Sequence, residues 1–498
     1  MLENLALGAA TALTFTNLTY ALFGCFLGTL IGVLPGIGPL ATISILMPMT
    51  FAMEPSTALI MLAAIYYGSQ YGGSTTAILL NLPGETASVV TCLDGHAMAK
   101  QGRAGPALAI AALASFLAGC VATLVIATFA PILAMFALSF TSVEYFALMV
   151  AGLCAAVAMS SGSLIKSLGM IIVGLILGLV GTDVNSGLHR FTFNSIELWD
   201  GIDLVALTIG MFALGEIAAS IEQPERRGLV TGKVTGIMPR SADIKVAFFP
   251  ALRGTGLGSI LGVLPGGGAM ISAFASYSFE RQIGKNPETF GTGRIEGLAG
   301  PEAANNAGSQ TSFIPMLTLG IPGNPLIAIL LGALIIHGVT PGPRLISDHP
   351  DIFWGVIVSM WVGNLMLVVL NLPLVGMWVK LLQVPFVALF PGILLLCCVG
   401  IYGSNFSPFD VYVAASFGFA GYMLRKLDCE TVPMVLGFVI GPLMEENFRR
   451  AVTISRGDLS VFFASPLSIT LLMIAVLVLI AAALPRFRKS RELLDEEL

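Results

Sequence analysis

The residues best suited to do chemistry in this chain are uncharged. Ser69, Ser74, Thr75, Thr76 and Asn81 fall in the stretch YYGSQYGGSTTAILLN, and Asn305, Asn306, Ser309, Gln310, Thr311 and Asn324 fall in and just beyond NNAGSQTS, far along the chain. Hydroxyls and amides of this kind can donate to the oxygens of an anion or turn their own oxygens toward Na+. Each stretch lies near two Pro-Gly steps. GTLIGVLPGIG, Gly28 to Gly38, returns as GSILGVLPGGG, Gly258 to Gly268, with seven of eleven positions identical and three more exchanged within Thr/Ser or Leu/Ile. A second pair of steps, Pro83-Gly84 and Pro322-Gly323, follows the polar stretches. Proline removes a backbone donor and glycine frees the next residue, so an apolar helix must break at each step. Paired breaks in corresponding positions of two halves point to a binding site built from half-helices, whose N-termini attract anions.

These readings give substrate-binding candidates Gly36, Gly38, Ser74, Thr75, Asn81 and Gly84 from the first half. Gly266, Gly267, Gly268, Asn306, Gln310 and Gly323 come from the second. Asn81, Asn305 and Asn324 are candidate Na+ ligands, with Na+ or H+ as coupling ion and no other cofactor. The Gly72-Gly73 pair reads as a place where a ligand approaches bare backbone. Any one small residue taken alone reads equally well as helix packing, and for Gly8, Gly174 and Gly178 packing is the better reading. Glu85 and Asp94 either anchor a surface helix or titrate during transport; Glu445, Glu446, Arg449 and Arg450 read as a solvated helix end. His96, His189, His337 and His349 form no ligand set.

The elements that must position these residues are membrane helices. The 498 residues are 56% hydrophobic and only 11% charged, with a mean hydropathy of +0.90, far more apolar surface than a soluble core requires. A net charge of -5 without a basic cluster gives no case for nucleic acid. The seven cysteines show no paired spacing and read as small buried hydrophobes. No Lys or Arg precedes Lys100, so a cleaved signal peptide is not expected, and dipoles rather than basic side chains must bind any anion in that region.

In chain order, Met1 to Phe15 reads as an interfacial helix. Leu18–Leu34 leads into the first break, Pro39–Phe51 continues beyond it, and Ser56–Leu80 carries the first polar stretch. Thr86–Gln101 is amphipathic and expected at the membrane surface or as the cap of a half-helix. Apolar runs follow near 107–128, 143–160, 163–181 and 201–219, and in the second half near 325–340, 353–380, 386–403, 408–424, 431–444 and 465–484. With a polar helix expected over Gly300–Gly320, the fold class is an all-α polytopic protein with roughly a dozen spanning equivalents of about 20 residues each. Two structural repeats, read as inverted, carry broken helices or re-entrant hairpins. The divisions are 1–221 for the first half, 222–246 for a basic linker, 247–450 for the second half and 451–498 for an appended helix and basic tail. Arg226, Arg227, Lys233 and Arg240 in the linker, and Arg486, Arg488, Lys489 and Arg491 in the tail, place both in the cytoplasm by the positive-inside rule.

GVLPGIGP, YYGSQYGGSTTAILLNLPGE, LDGHAMAKQGRAGPALAIAALASF and NNAGSQTSFIPMLTLGIPGNP resemble the large membrane subunit of the tripartite tricarboxylate transporter family, across essentially the whole chain. The resemblance implies a secondary carrier of small carboxylates (tricarboxylates, dicarboxylates or aromatic acids) in the bacterial inner membrane. Its partners would be a small membrane subunit of about four helices and a periplasmic solute-binding protein. An enzyme is disfavoured, since HExxH, GxSxG and P-loop patterns and paired aspartates in the spans are all missing. A passive channel or scaffold subunit is the alternative.

Overall fold

The computed structural model describes residues 1–34, 38–160, 163–183, 186–222, 236–264, 268–382 and 386–483. Helix dominates throughout. The chain starts with α1 (Leu2–Ala12) and α2 (Phe15–Val33), the latter capped by Thr14, whose hydroxyl accepts from Asn17 N. After the break comes α3 (Pro39–Leu46), with Pro39 in its first turn, where the missing N–H costs nothing. Helix α4 (Pro55–Leu80) also starts on a proline and stops at Asn81, which takes the left-handed conformation at φ 59°.

A wound segment then runs through Thr86–Ser88, α5 (Val89–Thr91) and π-turns at Cys92–His96 and Ala99–Arg103 into α6 (Ala104–Ala137). The expected surface helix over Thr86–Gln101 is not what forms. Asp94 is fully buried and His96 nearly so, because Asp94 Oδ1 accepts from the backbone N–H groups of Gly291, Gly293 and Arg294 at 3.0, 2.8 and 2.7 Å. Asp94 thus serves as an anchor, fastening this segment to the loop ahead of the second polar helix. Helix α6 is also longer than the apolar run that announced it, tolerating Pro131 inside its last turns.

The first half closes with α7 (Ser142–Met159), α8 (Leu164–Gly178), a two-residue antiparallel pair β1 (Gly181–Thr182) and β2 (His189–Arg190), and a helical run made of α9 (Leu204–Thr208), a π-segment Ile209–Leu214 and α10 (Gly215–Glu222). The second half holds α11 (Ser241–Leu261), α12 (Gly268–Ile283), α13 (Ile295–Thr311), α14 (Phe313–Leu319), α15 (Pro325–Ile336), α16 (Leu345–Asp348) and α17 (Pro350–Asn371). It ends with α18 (Val375–Leu381), α19 (Phe386–Asn405), α20 (Pro408–Lys426), α21 (Val432–Ile454) and α22 (Pro466–Ala483). Two expected single helices are therefore double. The polar helix divides at Ser312 into α13 and α14, and the run 353–380 turns at 372–374 into α17 and α18.

Packing follows from small residues. Helix α2 lies along α4, and α11 along α13, each through a row of glycines. A Cβ added at Gly68 of α4 would fall 2.6 Å from the Cys25 carbonyl oxygen and 2.8 Å from Thr29 N, while one at Gly258 of α11 would fall 2.8 Å from Ala304 Cα. Backbones approach this closely only where side chains are absent, the usual device of membrane helices, which gain no hydrophobic attraction from each other in lipid. Gly72 serves the same contact, against Thr29 and Gly32, and a Cβ at Gly73 would meet Glu85 Cγ at 2.9 Å, so Gly72 packs helices and Gly73 is covered by the segment after the second break. Gly8 and Gly178 abut the Trp354 and Phe438 carbonyls, and Gly174 the Met434 carbonyl, as packing predicts.

The consequence is an inside-out helix pair at the centre. Every residue of α4 from Ser56 to Leu80 is buried, and so is α13 apart from Glu296. Helix α6 packs against both, and α17 packs against α4 and α6. Among the described residues four helical segments, Phe15–Val33, Ala99–Ala137, Pro350–Asn371 and Pro466–Ala483, are long and apolar enough to cross a membrane, and six shorter apolar ones accompany them. Glu445 and Arg449 are not simply a solvated end. Arg190 holds Glu445 through two bonds of 2.7 and 3.0 Å, and Arg449 reaches Asp183 at 3.0 Å and Glu445 at 2.7 Å, tying α21 to the β1–β2 turn. The Glu445 bonds raise the pKa of Arg190 further above its ordinary value, against a smaller opposing effect of burial. Only the Glu446–Arg450 pair is solvated as expected.

Candidate functional site

A cavity of about 640 Å³ opens between the ends of the broken helices. Its wall includes Gly38 and Pro39 at the start of α3, Gly84, Glu85 and Thr86 after the second break, Ala269 and Met270 in the first turn of α12, and Asn324 and Pro325 at the start of α15. Elements from both halves thus present their N-terminal turns to one space. First-turn N–H groups have no partner within their own helix, and the dipole adds partial positive charge, so each such end suits an anion. Asn324 caps α15, its Oδ1 accepting from Ile327 N at 2.9 Å, and its Nδ2 lies 3.5 Å from the Tyr66 hydroxyl.

Side chains complete the wall. Tyr66 and the buried Gln70 come from α4. Glu85 accepts from Asn305 Nδ2 at 3.0 Å and exchanges capping bonds with Ser88. On the opposite side Arg425, at the end of α20, pairs with Glu216, and Ser160 donates to Glu430 at 2.5 Å. Arg425 is the one basic side chain among the described lining residues, which also include Glu85, Glu216, Asp428 and Glu430.

Of the residues singled out from sequence, Gly38, Gly84, Glu85 and Asn324 line this cavity. Gly268 begins α12 and Gly323 lies in the turn ahead of α15; a Cβ at either would meet nothing closer than 3.6 and 3.9 Å respectively. Gly36, Gly266 and Gly267 lie outside the described residues. Asn81 is exposed at the end of α4, outside the cavity wall, and Asn305 reaches the cavity only through Glu85. Ser74, Thr75, Asn306 and Gln310 gather elsewhere, facing α6. Ser74 donates to Glu302 at 2.7 Å, Asn306 Nδ2 to Ser115 Oγ at 2.7 Å, and Thr123 to Gln310 Oε1 at 2.9 Å.

Sequence reading passed over Tyr66, Gln70, Ser160, Arg425 and Glu302. Tyr66 and Gln70 were within reach, since they sit in the same polar stretch, about two turns and one turn before Ser74 respectively. Glu302 carried a signal too, as a carboxylate inside an otherwise neutral helix of small and amide residues. Arg425 looked like the end of a span, and nothing local distinguishes it.

A chain of this kind, helical and multi-pass, with a cavity rimmed by the ends of interrupted helices, has the features of the class of membrane transport proteins. The model of the tripartite tricarboxylate transporter TctA family matches residues 18–436, and the chain is a member of that family. It is thereby a component of a tripartite transport system, and partner subunits are implied. It is similar to an uncharacterized 52.8 kDa protein in the TAR-I ttuC' 3' region of Agrobacterium vitis, 53% identical over 492 residues covering 99% of this chain and 98% of the relative. It is also similar to an uncharacterized protein in the TAR-II ttuC' 3' region of the same organism, 54% identical over 235 residues, 47% of this chain and 97% of the relative. No solved structure matches the chain.

Proposed function

We propose that the cavity binds a small carboxylate anion and that the chain imports it by cation-coupled alternating access. The observation that carries this reading is the convergence of the α3, α12 and α15 starts on one space. A partly buried helix end stabilises an anion by up to about 2 kcal/mol, so three ends can contribute much of the about 8 kcal/mol of a micromolar complex.

Coupling to a cation follows from the same wall. Among the described residues four acidic side chains and one arginine line the cavity, and Arg425 is already paired with Glu216. An anion entering alone would meet excess negative charge, and a cation entering with it relieves that repulsion. The two halves are read as inverted repeats that move relative to each other around the site. The linker 222–246 and the C-terminus face the cytoplasm of a cell whose inner membrane holds the chain. Substrate is delivered by a periplasmic solute-binding protein, and a small four-helix membrane subunit completes the carrier.

The test is binding of a panel of mono-, di- and tricarboxylates to the purified chain, followed by uptake into proteoliposomes with and without its partners and an ion gradient. Saturable binding with gradient-driven, partner-dependent uptake is the expected result. Gradient-independent flux without saturation would instead identify a channel.

A further inference from the structure

A second and smaller polar site lies away from the carboxylate cavity, at the meeting of α4, α6, α13 and α17. Its centre is Glu302, fully buried in the middle of α13. Ser74 donates to Glu302 Oε2 at 2.7 Å, Ser115 approaches the same oxygen at 3.4 Å, and Thr91 donates to Oε1. None of the ion pairs among the described residues includes Glu302. Hydroxyl donors soften the cost of burying a carboxylate but supply no positive charge, so an ionised Glu302 would need a cation beside it, an unpaired charge in a membrane protein's interior being expensive.

Beside this carboxylate is a void of about 10 Å³ whose polar lining is Tyr71, Ser74, Thr75, Ser115, Glu302 and Asn371. Two of those groups, the Tyr71 hydroxyl and Asn371 Oδ1, are buried with no hydrogen-bond partner. Asn371 is oriented by donation from its Nδ2 to the Leu367 carbonyl at 2.9 Å, so its oxygen is the atom left over. Unsatisfied oxygens, a lone carboxylate and a space at the lower limit of what holds one water together describe an oxygen-lined seat for one small particle carrying one positive charge.

We propose that Glu302, Asn371, Tyr71 and the surrounding hydroxyls form a binding site for one dehydrated, Na+-sized monovalent cation. Size excludes a hydrated ion, and charge excludes a divalent one, which would leave a surplus positive charge and demand more oxygens or retained waters. The site differs from the Asn81, Asn305 and Asn324 set expected from sequence. It also joins the two halves, since Ser74 and Tyr71 come from one and Glu302 and Asn371 from the other. The inference deepens the cation coupling proposed above and rests on it.

The experiment measures 22Na+ binding to the purified chain without carboxylate or partner proteins, with choline as the inert replacement, together with the thermal midpoint in each salt. Saturable Na+ binding that raises the midpoint is expected, and Glu302→Gln should raise the Na+ Kd by about 100-fold or more. Should Glu302→Gln fail to fold, Tyr71→Phe provides the second reading, because its hydroxyl has no protein partner to lose. That change should weaken Na+ binding roughly 5- to 10-fold, while Tyr67→Phe, which removes another unpartnered buried hydroxyl away from the void, should not change it. Equal behaviour in Na+ and choline, or Na+ binding untouched by Glu302→Gln and Tyr71→Phe, overturns the proposal and leaves a protonated Glu302 with a trapped water. Because no carboxylate is present, failure here is distinct from failure of the substrate reading, which the uptake measurements judge alone.

Discussion

Replacing Gly38 with alanine separates the site from the scaffold. Gly38 caps α3 with φ -71° and ψ 162°, an extended conformation open to any residue, and a Cβ there would meet nothing within 4 Å. The fold therefore loses nothing, and the reduced freedom of the unfolded chain should stabilise it by about 0.4–1 kcal/mol. The new methyl instead projects at the cavity wall, beside the N–H groups proposed to bind the carboxylate. Crowding a close-fitting site by one methyl costs about 1–3 kcal/mol, so the carboxylate Kd should rise roughly 5- to 150-fold. Gly68→Ala is the counterpart: its Cβ would meet backbone atoms of Cys25, Thr29 and Gly28 at 2.6, 2.8 and 3.0 Å, none of which can swing aside. That variant should lower the thermal midpoint whether or not ligand is present. Gly174, a packing glycine, cannot serve as a neutral control because it lies against the Met434 carbonyl; the exposed Gly169, with nothing within 4 Å of an added Cβ, can. Midpoints in detergent and carboxylate binding by calorimetry would be measured for all three. Wild-type affinity in a stably folded Gly38→Ala protein would remove the α3 start from the site.

Other outcomes follow from the anchors and charges. Asp94→Asn weakens the three backbone N–H bonds that Asp94 accepts, and should destabilise the chain by about 1.5–3 kcal/mol, read as a lower thermal midpoint. Glu445→Gln leaves Arg190 and Arg449 with only Asp183 to share, and should cost about 1 kcal/mol, with a smaller effect in high salt. Single cysteines introduced near Arg227 and Arg488 in a cysteine-free background should react with impermeant reagents only after the cytoplasmic side is exposed; labelling in intact cells would reverse the orientation.

Residue types and spacing were enough to read the helical membrane class, the breaks and the central polar stretches. Apolar runs, prolines and glycines act locally: a proline forbids its own hydrogen bond wherever the chain goes. The resemblance of the long motifs to a transporter family was legible for the same reason, since motifs are linear. Distance in sequence hid the rest. Gly72 and Gly73 could as easily have faced ligand as protein, and only the course of α2 along α4, for Gly72, and the fold-back of Glu85, for Gly73, decides for packing. The segment around Asp94 looked like a surface helix because the partners of Asp94, Gly291, Gly293 and Arg294, are about 200 positions away and offer backbone rather than side chains. The polar residues of α4 and α13 read as one site, but a helix has several faces, and which neighbour each face meets depends on packing. Tyr66 and Gln70 turn to the cavity, while Tyr71, Ser74 and Thr75 turn to Glu302 and the void beside it. Helix periodicity assigns each residue a direction, and only the tertiary structure supplies what lies there.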